Sequence, residues 1–538
     1  MTAPITFSRL VEARANSNPA SVAMDSAESG SHSWRDLHDR GHAFARVLAA
    51  LGVARAEPIV TMTHADFDGV ALWAGCARLG ALEVPVNHAY RGQWLRETVS
   101  RVGARLAIVD AEFLPHWRAV LSGTGLETVV AVASHARESV DGVTIVGVAE
   151  LLAESTTSRD VQDVSEAEDL AVLIHTSGTT GVSKGVMLPW TALAFRCNQR
   201  YTPAMRLGSG VVCYAPFAPF HWSGRGKWFD MALHETRLVT AHRFKTDKWL
   251  PHIRRFGCTT TSLVGAMAPF VMQSPARPDD SDNPLELVQI APLPPNVDEF
   301  KERFGVPEVI SAYQMTETPL IFVTPDSDFV TSSTSRSCGV AAGDVPIRLV
   351  DQEGHDVQTG EVGELLVGGG PTVVNLGYYK MPDASAKAWE GGWFHTGDLF
   401  RYDEDGRYYF VDRAKDALRR RGENISSVEI EAILNQHPAV AESAVIGVPS
   451  EFGEDEVMAI VVPLPGCRVT PEELVDFVQP QIAQFAVPRY VTFMESLPRT
   501  PTHKIRKGPL REAGITAATW DRLKNRGRRD PAPTAENK

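Results

Sequence analysis

Hydrophobic and polar positions in the first half of the chain alternate between two spacings. A helical spacing of apolar residues ends at Gly52, and a run rich in β-branched residues follows at 58–62. A second helical pattern continues to Leu79 and is again followed by an apolar run. Including that run, further strand candidates lie at 83–86, 105–109, 127–132, 170–175 and 211–215. This alternation predicts βαβ units and a mostly parallel sheet, which is an α/β fold.

The spacing changes near residue 340. Short apolar runs joined by turn residues predict hairpins at 345–370 and at 399–410, where Asp403-Glu404-Asp405-Gly406 supplies the turn. Beyond 412–416 a helix is predicted at 428–436, followed by strands at 441–448 and 457–463. The sequence therefore predicts a domain boundary at 412–416, with a small α+β unit after it.

Composition and charge narrow the class of protein. The 538 residues are 43% hydrophobic and 22% charged, which are the values of a globular chain. A net charge of -13 argues against nucleic acid as a partner. No apolar run reaches the roughly 20 residues of a membrane span, and the first residues do not resemble a signal peptide. The six cysteines form no CxxC pair, which fits a reducing compartment, so a cytoplasmic enzyme is expected.

A glycine- and hydroxyl-rich loop follows the apolar run at 170–175. Residues 176–185 contain three glycines and five hydroxyl side chains, many of them potential donors to a polyphosphate. The loop fails the Walker A pattern, because Ser183 precedes Lys184 and Gly185 follows it. A surface linker is the alternative interpretation. The phosphate-binding residues predicted here are Thr176, Ser177, Gly178, Thr179, Thr180, Gly181 and Lys184.

Four further segments follow this loop in a recognisable order. They are AYQMTE at 312–317, GWFHTGD at 392–398, DRAKD at 412–416 with GENIS at 422–426, and PRTPTHK at 498–504. Together with TSGTTGVSKG, these segments resemble the signatures of the adenylate-forming superfamily of acyl-CoA synthetases, luciferases and peptide-synthetase adenylation domains. The overall pattern is most similar to the crotonobetaine/carnitine-CoA ligase branch.

The resemblance implies a fold and a domain division. The expected fold is α/β, with a large N-terminal domain, residues 1–412, made of βαβ layers and a small β-barrel-like subdomain. A small mobile α+β domain, residues 413–538, would carry the catalytic lysine. Lys415 would be the hinge about which this domain rotates after the first half-reaction.

The resemblance also implies a reaction. The family activates a carboxylate by attack on the α-phosphate of ATP, which releases pyrophosphate and leaves an acyl-adenylate. Glu317 and Thr180 would bind Mg²⁺, since this cation prefers hard oxygen ligands at phosphates. Thr316 would hydrogen-bond the α-phosphate, and Tyr313 would stack on adenine. Lys504 would stabilise charge that develops on phosphorus, so the catalytic residues are Lys504, Glu317 and Thr316.

Asp398 and Arg413 complete the nucleotide site that the resemblance implies. The Asp398 carboxylate would accept both ribose hydroxyls, and the Arg413 guanidinium would hold ribose or phosphate oxygens. A turn-capping role is the alternative for Asp398. The basic stretch 503–507 could be a solvated surface, and the family usually has glycine where His503 stands.

The acyl pocket is less determined by the sequence. By resemblance, it is lined by His221, Trp222, Gly265, Ala291 and Pro292. Arg225 and Lys227 could meet an anionic substrate tail or could be exposed. Arg421, where many relatives have glycine, could contact a CoA phosphate, obstruct the thiol or be a solvated cation.

The expected function is an ATP-dependent acid–CoA ligase that uses ATP, Mg²⁺ and CoA on a small carboxylic acid. The alternative is an adenylate-forming enzyme of secondary metabolism with another acceptor, such as a carrier-protein thiol or an amine. A non-catalytic ATP-binding protein is disfavoured, because all the chemical residues are present. The acid and the oligomeric state, for which a homodimer is one option, stay open.

Overall fold

The fold was analysed on a computed structural model of the chain. The structure describes residues 5–525 apart from 133, 135–136, 155–160, 177–182, 200–206, 266, 295, 325–329, 335–336, 372, 415–417, 421–422, 450–454, 483, 485 and 501–503.

The strands up to residue 310 form two large sheets. Their bounds are β1 (Val22–Ser26), β2 (Gly30–Ser33), β3 (Pro58–Met62), β4 (Leu82–Pro85), β5 (Leu106–Asp110), β6 (Thr128–Val132), β7 (Arg137–Val140), β8 (Val143–Gly147), β9 (Leu170–Thr176), β10 (Lys184–Pro189), β11 (Val212–Tyr214), β12 (Arg237–Thr240), β13 (Thr260–Val264), β14 (Leu287–Ala291) and β15 (Glu308–Ile310).

The later strands belong to smaller sheets. They are β16 (Ala312–Tyr313), β17 (Phe322–Val323), β18 (Ser337–Ala341), β19 (Ile347–Val350), β20 (Gly363–Val367), β21 (Phe394–Tyr402), β22 (Tyr408–Arg413), β23 (Leu418–Arg420), β24 (Glu423–Ile425), β25 (Val440–Pro449), β26 (Asp455–Pro463), β27 (Tyr490–Phe493) and β28 (Trp520–Asp521).

The helices connect these strands. In chain order they are α1 (Phe7–Ser17), α2 (Trp34–Ala50), α3 (Phe67–Arg78), α4 (Gly92–Val102), α5 (Leu114–Arg118), α6 (Val148–Glu154), α7 (Trp190–Cys197), α8 (Trp222–His234), α9 (Thr246–Phe256), α10 (Met267–Gln273), α11 (Val297–Phe304), α12 (Pro382–Ala388), α13 (Ser427–Leu434), α14 (Pro471–Val478), α15 (Lys507–Ala513) and α16 (Arg522–Asn525).

Local sequence signals account for the first βαβ units. Strand β3 reads Pro-Ile-Val-Thr-Met and is almost wholly buried, as an apolar, β-branched run in a parallel sheet requires. Helix α2 begins with a capping box, in which the Ser33 hydroxyl accepts from Asp36 N and the Asp36 carboxylate accepts from Ser33 N. Asp66 caps the first turn of α3. The predicted helix–strand alternation is therefore confirmed here.

The two large sheets are mostly parallel. One has the order β15-β14-β13-β11-β12-β1-β2, and the other has the order β10-β9-β4-β3-β5-β6-β8-β7. In the first sheet only the edge strand β2 runs antiparallel to its neighbour, and in the second the edge strands β10 and β7 do so. Consecutive parallel strands direct their carboxyl ends to one edge of each sheet, where ligands bind in such folds.

Helices pack between and outside these sheets. The largest core contains side chains of α1, α2, α3 and α8 together with residues from both sheets, so these helices lie between the sheets. Helices α4 and α5 cover the outer face of the second sheet, and α9 and α11 cover the outer face of the first. The result is a layered α/β domain with its sheets covered on both faces.

A third, antiparallel part follows residue 311. Its seven strands have the order β16-β17-β18-β22-β21-β20-β19. Among the strands that the structure describes, the edge strands β16 and β19 do not pair with each other, so the sheet stays open and does not close into the barrel-like form expected. The predicted hairpin at 399–410 is present as β21 and β22.

The last residues form a separate α+β unit. Strands β25, β26, β27 and β28 make a four-stranded sheet, and α13 and α14 contribute to its hydrophobic core. Within this unit the Lys507 ammonium lies 2.7 Å from the Glu431 carboxylate, which connects α15 to α13. The predicted class, an α/β chain with a large first part and a small α+β end, is confirmed. In the described residues, no helix has the length and apolar character needed to cross a membrane.

Candidate active site

Five predicted site segments begin where parallel strands end. Strand β9 leads into the phosphate loop, β11 leads to 216–222, β13 leads to Gly265, β14 ends at Ala291, and β15 leads to 312–317. The fold thereby brings segments that are distant in the sequence to one side of the large domain.

Asp398 and Arg413 face each other in the antiparallel sheet. They are register partners on β21 and β22, and the Arg413 Nε lies 2.7 Å from the Asp398 carboxylate. The Tyr313 hydroxyl donates a 2.5 Å hydrogen bond to the other oxygen of the same carboxylate. Arg413 and Tyr313, from two other motifs, therefore converge on the buried Asp398 carboxylate, as a nucleotide site would require.

Burial and charge act against each other at this carboxylate. Only 1% of Asp398 is exposed, and this burial raises its pKa. The Arg413 guanidinium and the Tyr313 hydroxyl oppose that rise because both stabilise the ionised form. Burial, with the Asp398 charge next, raises the pKa of the Tyr313 phenol, which stays a hydrogen-bond donor. The ring of Tyr313 packs against Phe400 at 4.8 Å between centroids.

Glu317 is linked to the phosphate loop through Tyr378. The Tyr378 hydroxyl donates to Glu317 Oε1 at 3.3 Å, and the Lys184 ammonium lies 4.6 Å from the centre of the Tyr378 ring. Lys184 is also paired with Thr176 across β10 and β9. The structure thus brings Thr176, Lys184 and Glu317 into one region, although the sequence reasoning did not identify Tyr378.

A buried carboxylate beside a phosphate loop suits a hard cation. Glu317 is 7% exposed, and Asn375 Nδ2 donates to its backbone carbonyl at 2.8 Å, which holds the backbone at this position. Mg²⁺ binds through one or two carboxylates together with phosphate oxygens and water. The donor chemistry of Glu317 therefore fits the expected ion, and the other expected ligand, Thr180, lies outside the described residues.

Arg196 is a second site residue that the motifs do not contain. Its guanidinium donates to the backbone carbonyls of Thr316, at 2.9 Å, and Val374, at 2.6 Å. Burial lowers its pKa to about 10, and the nearby Glu317 carboxylate opposes this. The same guanidinium lies 5.0 Å from the centre of the Trp222 ring. Arg196 thus connects the Thr316 backbone to the predicted acyl pocket.

Lys504 belongs to the small domain but acts electrostatically on the large one. Loss of hydration beside the protein, and then the charge of the Arg413 guanidinium, lower the pKa of its ammonium. The Glu317 and Asp398 carboxylates oppose this change. The backbone around Lys504 is held by Thr500, whose N donates to the Lys504 carbonyl at 2.8 Å. The predicted catalytic lysine, whose side chain is exposed, therefore lies within electrostatic range of the nucleotide residues.

The predicted acyl residues follow or end neighbouring strands, since β11 pairs with β13 and β13 with β14. His221 caps the start of α8, and burial followed by the Lys504 charge lowers its pKa to about 4, so that it is neutral at pH 7. Trp222 begins the helix and is 8% exposed. On the neighbouring strands, Gly265 N donates to the Ala291 carbonyl at 2.9 Å. Gly265 and Pro292 are exposed, as residues beside an open pocket would be.

Comparison with known proteins identifies the family of the chain. Residues 11–379 match the AMP-binding enzyme family, and residues 429–504 match the AMP-binding enzyme C-terminal domain. The chain belongs to the AMP-binding enzyme family. The resemblance inferred from the five sequence segments is confirmed.

Relatives cover nearly the whole chain. The medium/long-chain-fatty-acid–CoA ligase FadD17 of Mycobacterium tuberculosis is 32% identical over 498 residues, 90% of this chain and 92% of that protein. The crotonobetaine/carnitine–CoA ligase of Salmonella typhimurium is 27% identical over 489 residues, 89% and 93% of the two chains. ATP-bound MatB from Rhodopseudomonas palustris superposes with a TM-score of 0.81 at 26% identity, covering 95% of this chain and 99% of MatB.

Several predicted residues of this AMP-binding enzyme cannot be placed. Lys415, the expected hinge, and Arg421 lie outside the described residues. The same holds for the middle of the phosphate loop, which comprises Ser177, Gly178, Thr179, Thr180 and Gly181. Their roles stay predictions.

Both interpretations of Arg225 were wrong. The side chain is 0% exposed, and its guanidinium lies 2.6 Å from the equally buried Glu83 carboxylate. It also donates to the Pro219 carbonyl at 2.8 Å and lies 4.3 Å from the centre of the Trp228 ring. Lys227 is likewise largely buried, with its ammonium 3.5 Å from the Asp230 carboxylate. These cations stabilise α8 and do not reach a substrate tail.

Proposed function

We propose that this AMP-binding enzyme is an AMP-forming acid–CoA ligase. It activates a carboxylic acid with ATP and transfers the acyl group to CoA. The observation that carries the proposal is the meeting of Arg413 and Tyr313 at the buried Asp398 carboxylate, with the charges of Glu317 and Lys504 near enough to act on it. A carboxylate, an α-phosphate and a ribose could all be held there at once.

The nucleotide is held by the Asp398 carboxylate and the residues around it. Asp398 accepts the ribose hydroxyls, and the Arg413 guanidinium, at 2.7 Å, stabilises the ionised form of the carboxylate against its burial. Tyr313, bonded to the same carboxylate, places its ring beside the base. Through this 2.5 Å bond Tyr313 would also orient Asp398, in addition to the expected stacking.

Neutralising negative charge is the main requirement of the first half-reaction. The acid and the α-phosphate are both anions, and their approach is unfavourable until cations lie beside them. Bound Mg²⁺ would supply two positive charges at the phosphates, held by Glu317. Lys184 and Glu317 both contact Tyr378, so they lie in the same region. Lys184 would bind the outer phosphates as a point charge.

Lys504 supplies the remaining positive charge at the reacting atoms. Its ammonium contacts charge that is greater in the transition state than in the bound substrates, so it accelerates the step more than it tightens binding. His221, neutral because its pKa is about 4, adds no competing charge beside Lys504. The acid then lies between His221 and the Gly265–Ala291 edge.

The acid is proposed to carry a single carboxylate. Arg225 and Lys227, the cations on α8, are both paired with carboxylates of the protein. Neither is free to bind a second anionic group at the far end of the substrate. This favours monocarboxylic acids over dicarboxylic ones.

Pyrophosphate release tests the proposal directly. The purified full-length protein is incubated with ATP, Mg²⁺ and a panel of acids, with and without CoA, and thioester formation is followed by mass. An acid-dependent release of pyrophosphate with a matching thioester is expected. If pyrophosphate is released but CoA is not consumed under any acid, the acceptor is another thiol or an amine, and the CoA part of the proposal is wrong.

Lys504→Ala separates the half-reactions. Acid-dependent pyrophosphate release should fall at least about a hundredfold, a loss of ~2.7 kcal/mol. Thioester formation from a chemically supplied acyl-adenylate should survive. Lys387→Ala, an exposed lysine of α12, serves as the matched control and should leave both steps unchanged. An equal loss in both steps would show that Lys504 has a structural role.

A further inference from the structure

Three loops at the carboxyl ends of parallel strands bring two histidines and a glutamate together. His64 follows β3, Glu112 follows β5 and His242 follows β12. One potential ligand atom from each of these side chains lies within 4.8 Å of the other two. No residue of this group has a part in the proposed ligase reaction.

The two imidazole rings are stacked face to face. The rings of His64 and His242 are parallel within 3°, with 3.8 Å between their centroids. His64 is 4% exposed and its Nε2 bonds to the Glu112 carboxylate. Three groups that can donate electron pairs therefore lie close together, and the Arg243 guanidinium, next to His242, also acts on His64 and Glu112.

Asp66 orients one of the two imidazoles. Its carboxylate lies 3.2 Å from His242 Nε2, and it also accepts from Phe67 N at 2.7 Å. With Nε2 carrying the proton toward Asp66, the other nitrogen of His242, Nδ1, is left as an electron-pair donor. A carboxylate that holds the outer nitrogen of a metal-binding histidine is a recurrent arrangement, because it sets the tautomer and raises the basicity of the ligand.

We propose that His64, Glu112 and His242 form a site for a divalent transition-metal ion, with Zn²⁺ as the best match. Two imidazole nitrogens and one carboxylate are a ligand set that zinc accepts with a fourth position open. Tetrahedral bonds of about 2.0–2.1 Å would place the ligand atoms roughly 3.4 Å apart. This distance is within the 4.8 Å that limits the separations of the three ligand atoms. Binding requires the parallel rings to open and the proton between His64 and Glu112 to leave.

The open position faces a cavity. Glu112 and His242 line a space of about 570 Å³, together with Glu28, Arg243 and Lys245. An ion can therefore reach the site from solvent, and water or an anion can complete its coordination. The basic residues of the cavity would favour an anionic fourth ligand.

A second histidine group in the chain does not offer such a site. Glu12, His38 and His42 also lie close together, but the Arg78 guanidinium donates to Glu12 at 3.0 Å and bonds to His42 Nε2. A cation already occupies the electron pairs that a metal would need. This group therefore provides a matched control.

Cobalt substitution tests the proposal. The full-length protein is stripped with chelator and titrated with Co²⁺, whose visible absorption reports tetrahedral nitrogen and oxygen ligands, and then with Zn²⁺ in competition. One ion per chain is expected. His242→Ala and Glu112→Gln should weaken binding at least about tenfold, and Asp66→Asn, which can still cap α3, should weaken it about 10–100-fold. The His38→Ala variant should bind Co²⁺ as tightly as the parent protein does.

The titration tests the metal site independently of the proposed ligase reaction, because ATP, acid and CoA are absent. A lack of any Co²⁺ spectrum, or unchanged binding in His242→Ala and Glu112→Gln, would overturn the proposal. Loss of binding in His38→Ala alone would move the site to the other group. Circular dichroism checks the fold of each variant. Glu112 is half exposed, so Glu112→Gln gives a decisive result even if replacement of the buried His64 unfolds the protein.

Discussion

Replacing Arg225 with methionine should destabilise the large domain strongly. The guanidinium and its partner Glu83 are both 0% exposed and lie 2.6 Å apart. Methionine keeps the length and apolar stem of the side chain but removes the charge. The Glu83 carboxylate would then be buried with only the Thr61 hydroxyl, at 2.7 Å, donating to it.

The size of the effect follows from the uncompensated charge. Removal of one partner of a buried ion pair costs about 3–5 kcal/mol, most of it the penalty of leaving the other charge without a counter-ion. The variant also loses the hydrogen bond from Arg225 to the Pro219 carbonyl, at 2.8 Å, which adds to the loss of stability. Because native domains are stable by about 5–15 kcal/mol, the variant should lose a large share of its stability.

The double variant Arg225→Met/Glu83→Leu tests the reasoning. With both charges removed, most of the lost stability should return, since apolar replacement of a buried pair is often neutral or favourable. Urea unfolding followed by fluorescence provides the measurement. Arg348→Met, which breaks an exposed ion pair with Asp356, is the control and should cost at most about 1 kcal/mol. A single variant within about 0.5 kcal/mol of the parent, or a double variant less stable than the single, would refute the argument.

Three further predictions concern the nucleotide, the acceptor and pH. Asp398→Asn should raise the ATP concentration needed for half-maximal pyrophosphate release without unfolding the protein, because the amide cannot replace the charged acceptor; an unchanged ATP requirement would remove Asp398 from the site. Arg421→Gly should raise the half-maximal CoA concentration a few-fold, the effect of one exposed contact of roughly 0.5–1 kcal/mol, whereas a rise in CoA-dependent rate would favour another acceptor. Burial lowers the pKa of His88 to about 3, so the unfolded chain binds the extra proton and stability falls as pH drops below about 6.5. His88→Phe should reduce that slope by up to about 1.4 kcal/mol per pH unit in urea unfolding between pH 6.5 and 4, and an unchanged slope would contradict the assignment.

The parts of the fold that were predictable have strong local signals. Strand β3 was predicted at 58–62 and has those bounds, because a β-branched run between two turns has few alternatives. Asp398 and Arg413 could each be predicted as a nucleotide ligand, since both stand in motifs. Their direct pairing across β21 and β22 depends on strand register, which the sequence does not reveal.

Arg196 and Tyr378 could not be found from the sequence. Neither stands in a recognised segment, and each reaches the site only through long-range packing against Thr316 and Glu317. Arg225 was misjudged because a cation between glycines on a helix is usually exposed. A signal was nevertheless present: Glu83 is a single carboxylate in an otherwise apolar strand, and a buried charge requires an opposite one.

The pairing of β21 with β22 has a mechanical consequence. The chain stays attached to the large domain as far as Ala414, whose N donates to the Gly397 carbonyl at 2.9 Å. Any rotation of the residues beyond 414 would leave the contact between Asp398 and Arg413, the pair proposed to hold the ribose, unchanged. The adenylate could then be handed from one chemical step to the next without being released. It also follows that the small domain could be exchanged for that of another enzyme at this junction, with turnover altered and nucleotide affinity retained.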